Sequence, residues 1–293
     1  MYSQIDSNKR KTIILITIFL IFIIALGWFL GVYLNYGYGL FAFAVIFSIG
    51  TSLVSYYTGD KIALMTTGAK QIKKEENPYV YRMVENLCIT AGMPVPKVHL
   101  INSPALNAFA TGRDPKHASI ALTTGIIEAL QNEELEGVIA HELSHIKNYD
   151  IRLMTIVVVL VGLIALVSDF FFRARFFGGG GRRSESKGGA GGIILIIGIV
   201  LLILSPIIAN LIKLAVSRKR EFLADASGAL LTRYPEGLAR ALEKISASPA
   251  VFPHASAATA HLFISNPFKK KSVSGLFSTH PPMEERVRAL RGM

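Results

Sequence analysis

The residues with the most definite chemical potential are His141-Glu142-Leu143-Ser144-His145, an HExxH motif. On a helix its two imidazoles, four residues apart, stand one turn from each other and point at the same ion, while Glu142 flanks that ion without being used as a ligand. Zinc lowers the pKa of a bound water, and a neighbouring carboxylate can take its proton as a polarised peptide carbonyl is attacked. The reaction class implied is peptide hydrolysis. A pattern this short recurs by chance on the order of once in a hundred chains of this length, so its surroundings decide. Val138, Ile139 and Ala140 precede it, and Leu143 and Ile146 continue an apolar face, which argues against a surface helix carrying two solvated histidines.

A catalytic zinc site takes three protein ligands and leaves a position open. The extended form HExxHxxGxxH is absent, because Asn148 and Ile151 occupy the places of its glycine and third histidine. A second helix must supply the third donor. Glu221, in Glu221-Phe222-Leu223-Ala224-Asp225, is the leading candidate, and Asp225 lies one turn further on the same face, where it can orient a ligand histidine. Taken alone, the segment also fits a solvated pair of acids. Two imidazoles and a carboxylate suit zinc, one ion per chain.

These residues need a scaffold. Asn132 is placed as the N-cap of the HExxH helix, with Glu133, Glu134 and Glu136 near its positive end and its last turn near Asp150. Before it, Tyr81, Val84, Leu87 and Cys88 recur at helical spacing, and three short strands are predicted over Lys97 to Ile101, Leu106 to Thr111 and Ala118 to Thr123. Cys88 is the only cysteine, which excludes an intramolecular disulfide and any multi-cysteine metal site; it reads as a small buried hydrophobe.

Part of the chain belongs in lipid. Only 17% of its 293 residues are charged and mean hydropathy is +0.44, unusual for a soluble protein. Thr12 to Leu34 and Gly37 to Tyr57 are apolar and read as a transmembrane hairpin (residues 1–58). Lys9, Arg10 and Lys11 precede it, and Lys61, Lys70, Lys73 and Lys74 follow, so the positive-inside rule puts both ends in the cytoplasm. Residues 59–152 are the first part of the protease domain, and 217–293 the second. Between them, 153–216 is a second hydrophobic hairpin, Leu153 to Val167 and Ile193 to Leu214, joined by a glycine-rich basic loop over 173–192. That loop lacks the spacing of a phosphate cradle. The net charge of +11 lies beside apolar runs without an interleaved aromatic patch, which points to anionic lipid headgroups and away from nucleic acid.

Together these residues resemble those of the HtpX proteases, membrane-bound zinc endopeptidases related to the Ste24 prenyl-protein proteases. The resemblance extends over nearly the whole chain: two apolar spans, HELSH, two further apolar runs and EFLAD occur in family order, with Asn107-Ala108-Phe109-Ala110-Thr111-Gly112 and Thr279-His280-Pro281. It implies an α-helical membrane protein of about four transmembrane helices with an α+β zincin-like (gluzincin-type) protease domain. It also implies that His141, His145 and Glu221 hold the zinc, that Glu142 is the general base, and that Asp225 supports a ligand from behind. The strand Asn107, Ala108, Phe109 and Ala110 would line the cleft and bind an extended substrate by strand addition, a sequence-tolerant mode. His280 would donate to the developing oxyanion or approach the metal. Arg286 and Arg288 could assist the oxyanion but read more readily as a solvated helix face, and His99, His117, His254 and His261 read as structural or solvated.

Only eight positions separate His145 from Leu153, about 12 Å if helical, so the metal should lie near the bilayer surface. This favours substrates presented there, and the resemblance implies unfolded or misfolded membrane proteins cut at cytoplasmic segments near the bilayer, in quality control and the stress response. His145 and Glu221 must reach one ion, so the chain between them crosses the membrane twice or not at all. Two crossings would put Arg173, Arg175, Arg182, Arg183 and Lys187 outside, against the positive-inside expectation; a shallow or protein-covered hairpin would not. Two other readings stand beside this one: a selective prenyl-protein processor, and a non-catalytic membrane scaffold. The intact Glu142 argues against the scaffold. The sequence sets no oligomeric state.

Overall fold

The computed structural model describes residues 2–33, 38–177, 217–252, 256, 258–267 and 281–293. The apolar run 193–214, residues 178–192 of the glycine-rich stretch, His254 and His280 lie outside the described residues.

Helices α1 (Tyr2–Tyr33) and α2 (Gly39–Thr66) pack against each other as the amino-terminal pair. Both are apolar on every side, and Ile13, Ile18, Ile21, Trp28, Ile46 and Leu53 are left exposed, as lipid contact requires. Among the described residues these two helices are long and apolar enough to cross a bilayer. Each is longer than its apolar run: α1 begins at Tyr2, ahead of Thr12, and α2 continues past Tyr57 to Thr66. Charge ends hydrophobicity, but Lys and Arg are good helix formers and do not end a helix.

Beyond α2 comes a small sheet. Strands β1 (Lys70–Gln71), β2 (Lys97–Ile101), β3 (Ala108–Asp114) and β4 (His117–Thr123) lie in the order β1-β2-β4-β3. β2 runs parallel to β4, with Val98 opposite Ile120, and β3 runs antiparallel to β4, with Phe109 opposite Ala121. β3 is therefore an edge strand. Central β4 is buried from Ala118 to Thr123, which is why its sequence is a short apolar run without alternation.

Helix α3 (Pro78–Ala91) starts where the Asn77 side chain accepts from the Val80 N–H and stops at left-handed Gly92. A short α4 (Thr124–Ala129) leads into α5 (Asn132–Lys147), the HExxH helix. Its N-cap is Gln131, one residue before the expected Asn132, because the Glu134 carboxylate reaches back to the Gln131 N–H at 2.8 Å. The helix also ends earlier than expected, at Lys147, and Tyr149 takes a left-handed φ of 61° before α6 (Asp150–Phe177) begins. α6 runs through Val167 to Phe177, so Arg173 and Arg175 are helical, where a loop was expected. Its first turns are covered by protein: Leu153, Ile156, Val157 and Leu160 pack with Leu15 and Phe19 of α1.

The second part of the soluble region comprises α7 (Arg218–Thr232), α8 (Pro235–Ala247), a 3-10 turn (Ala260–Leu262) and α9 (Met283–Arg291). α7 and α8 close over α5, leaving nearly every α5 side chain from Glu134 to Ile146 buried. Two glycines permit that approach. A Cβ on Gly137 would stand 2.8 Å from the Leu238 nitrogen, and one on Gly228 would stand 3.0 Å from the His141 nitrogen.

Candidate active site

The centre of the site is a convergence of three side chains from two helices. On α5 the His141 and His145 rings stand nearly perpendicular, at 88°, with their Nε2 atoms 3.2 Å apart. From α7 the Glu221 carboxylate places Oε1 3.6 Å from His145 Nε2 and Oε2 3.9 Å from His141 Nε2. One ligand atom from each residue falls within 4.8 Å of the others. Two donors on a tetrahedral zinc, each at about 2.0–2.1 Å, stand roughly 3.3 Å apart, so the imidazole pair fits such an ion and the carboxylate needs only a small adjustment.

Each imidazole has a carboxylate behind it. His141 Nδ1 lies 2.9 Å from Asp225 Oδ1, and His145 Nδ1 lies 3.0 Å from Asp150 Oδ2. Such pairs fix ring orientation and leave Nε2 to face the metal position. Asp225 was anticipated from its spacing; Asp150 was not. It is the first residue of α6, and only the end of α5 at Lys147 and the turn at Tyr149 bring it back to His145.

Arg286 was expected on a solvated face and is instead fully buried. Its Nε donates to Asp225 Oδ2 at 2.8 Å and its Nη2 to Asp225 Oδ1 at 2.6 Å, a forked pair, while Nη1 stands 3.8 Å from Glu221 Oε2 and donates to the Ile264 carbonyl at 3.3 Å. Two buried acids need a cation, and α9 supplies it. The signal was the spacing of Arg286 with Val287 and Leu290, all buried on one face of α9, whereas Arg288 is exposed as expected.

Charge and burial set the proton affinities. Burial is the largest influence on Glu142 and pushes its carboxyl up to about 7; Glu221 adds to this, while His145, Arg286 and a hydrogen bond from the Ala110 N–H oppose it. Burial works against charge on His145, yet Asp150, Glu221 and Glu142 together raise it to about 9. For His141 burial prevails and lowers it. Burial would raise Asp225, but Arg286 and His141 hold it down to about 2.

The strand residues Asn107, Ala108, Phe109 and Ala110 are buried alongside α5. The Ala108 carbonyl, on the open side of β3, already accepts from the Ile264 N–H at 3.0 Å, and Asn107 Nδ2 donates to the Ser265 carbonyl at 3.1 Å. The Phe263 ring stands edge-on to Phe109, with centroids 5.2 Å apart. Segment 263–265 thus lies along the start of the edge strand. His99 is buried with Nδ1 3.2 Å from the Lys97 carbonyl, His117 pairs with Asp114, and His261 is buried with Nε2 3.0 Å from the Met154 carbonyl.

A buried HExxH helix, a carboxylate delivered from a second helix and an acid behind each histidine define the class: the chain is a metalloprotease. The profile of Peptidase family M48 matches residues 74–293, and the chain belongs to that family. It is 45% identical over 295 residues to the protease HtpX homolog of Tropheryma whipplei (strain TW08/27), covering 100% of this chain and 98% of that one. The protease HtpX homologs of Caldanaerobacter subterraneus subsp. tengcongensis and Streptococcus pyogenes serotype M49 are 47% identical over 294 residues and 43% over 299, covering 98% and 100% of those chains and 100% of this one. The crystal structure of S. mikatae Ste24p shares the fold at a TM-score of 0.53 and 20% identity, over 99% of this chain and 67% of that one. With two apolar helices beside the site, this is a membrane protease.

Proposed function

We propose that the protein is a zinc endopeptidase that hydrolyses misfolded or damaged membrane proteins at the cytoplasmic face, in quality control and the stress response. The observation that carries this reading is the meeting of His141 Nε2, His145 Nε2 and the Glu221 carboxylate, with Glu142 buried beside them. These three residues would hold one Zn2+ per chain, and the ion when bound would supply Lewis acidity toward a peptide carbonyl and a water. Glu142, its proton affinity raised into the neutral range, takes a proton from the attacking water and returns it to the departing amine. Asp225 and Asp150 hold the two imidazoles, and Arg286 keeps Asp225 ionised. His280, next in chain to the Pro281 that leads into α9, serves the oxyanion or the metal.

The cytoplasmic orientation is supported by the basic residues that flank the apolar runs of the two anchor helices: Lys9, Arg10 and Lys11 before the first, Lys61, Lys70, Lys73 and Lys74 after the second. The organisation follows: an anchor hairpin, a protease domain in two stretches of chain, and a hydrophobic segment between them. Substrate enters as an added strand along Asn107 to Ala110, displacing segment 263–265 from the Ala108 carbonyl. Closeness of the site to the bilayer favours segments presented there.

The test is zinc content and casein cleavage in detergent for wild type and Glu142→Gln, purified without chelator. Zinc near one per chain in both, with cleavage in wild type alone, is the expected result. Zinc without cleavage in either would sink the enzyme reading and leave a scaffold.

A further inference from the structure

Asn8 is a polar residue in the anchor helix α1, and it is 1% exposed. Burying an amide is costly unless its hydrogen bonds are met. Here its Nδ2 donates to Asp150 Oδ1 at 2.6 Å and to the Asn148 carbonyl at 3.0 Å. The other Asp150 oxygen is the one at His145 Nδ1. Arg220, adjacent to Glu221, reaches both: its Nη1 lies 3.5 Å from Asn8 Oδ1 and its Nε 3.5 Å from Asp150 Oδ1.

We infer that Asn8 is a positioning residue for the metal ligand His145, acting through Asp150. A carboxylate with one oxygen engaged can still swing about its Cβ–Cγ bond; with the second oxygen held by Asn8, its plane is fixed, and with it the rotation of the imidazole. The same amide clamps the corner between α5 and α6, since Asn148 is the residue before left-handed Tyr149. The anchor helix therefore completes the metal site from the membrane side. This rests on the proposed metal set of His141, His145 and Glu221.

Full-length protein in detergent tests it, using zinc affinity by chelator competition and the visible absorption of the Co2+-loaded form, which reports ligand geometry. The variants are Asn8→Ala; Asn8→Leu, which keeps the volume without the donor; Lys9→Ala; Asp150→Asn; and Asn8→Ala with Asp150→Asn. Lys9 braces the same corner, with Nζ 4.8 Å from the Tyr149 ring centroid, but has no contact with Asp150 among the bonds described. Both Asn8 variants should bind zinc about tenfold more weakly and change the Co2+ spectrum, as loss of a supporting hydrogen bond does elsewhere. Lys9→Ala should match wild type in both, and the double variant should be no weaker than Asp150→Asn alone. Undiminished zinc affinity in Asn8→Leu, an equal loss in Lys9→Ala, or additive losses in the double variant would overturn the inference. So would failure of both Asn8 variants to accumulate, which assigns Asn8 to the fold. A wild type that binds no zinc refutes the metal set itself, a distinguishable result.

Discussion

At the scale of single residues, the site is a chain of alternating charges on buried side chains. Asp225 and Glu221 are buried acids, and Arg286 is the cation between them. Removing one member of such a group costs about 3–5 kcal/mol, because the charge left behind stays unpaired. Arg286→Met should therefore lower the thermal midpoint of the apoprotein by several degrees and weaken zinc binding, both read by a thermal shift series with and without added zinc. Arg286→Lys, which cannot form the fork, should fall between. How legible these residues were follows from how local their partners are. His141, Glu142 and His145 lie within one helical turn, and Asp225 is one turn from Glu221, so periodicity alone groups them. Arg286 joins His141 across 145 residues and Asn8 joins Asp150 across 142, pairings that only packing creates. Asp150 is near in sequence but hidden by the turn at Tyr149, whose positive φ no composition rule predicts.

At the scale of elements, the distance between α5 and α7 sets whether two histidines and a glutamate meet. Gly228 faces the His141 backbone across that gap, and a Cβ there would stand 3.0 Å from its nitrogen and 3.2 Å from its Cα. Backbone cannot swing aside as a side-chain tip can. Gly228→Ala should destabilise by about 1–3 kcal/mol and move Glu221 off the imidazole pair, so zinc affinity falls even where the variant folds. Chelator competition alongside a denaturant titration checks both. The strands came within a few residues of their observed ends because Pro, Gly and β-branched residues punctuate them. β1 was missed, since two exposed residues carry no period. The helices run past the apolar stretches that marked them in the sequence, to Tyr2, Thr66 and Phe177, because charged residues continue a helix.

At the scale of the whole molecule, the site ties distant parts of the chain together: α5 and α7 bring His141, His145 and Glu221 to one point, α6 and α9 place Asp150 and Arg286 behind them, and α1 adds Asn8. A ligand that binds only this closed arrangement stabilises all of it, by about 2.7 kcal/mol when present at a hundred times its dissociation constant. Stripping zinc with chelator should lower the thermal midpoint of the full chain, and Glu142→Gln should show the same shift as wild type. An unchanged midpoint in both would mean that no metal bridges these helices. The dispersal of the site also orders its assembly in time. Asn8 leaves the ribosome before either histidine, and Arg286 follows His141 by 145 residues, so the HExxH helix is made well before its charge partner exists. Until α9 has been made, Asp225 and Glu221 lack the cation that faces them in the folded chain. Assembly of this charge cluster thus waits until α9 has been made and has docked.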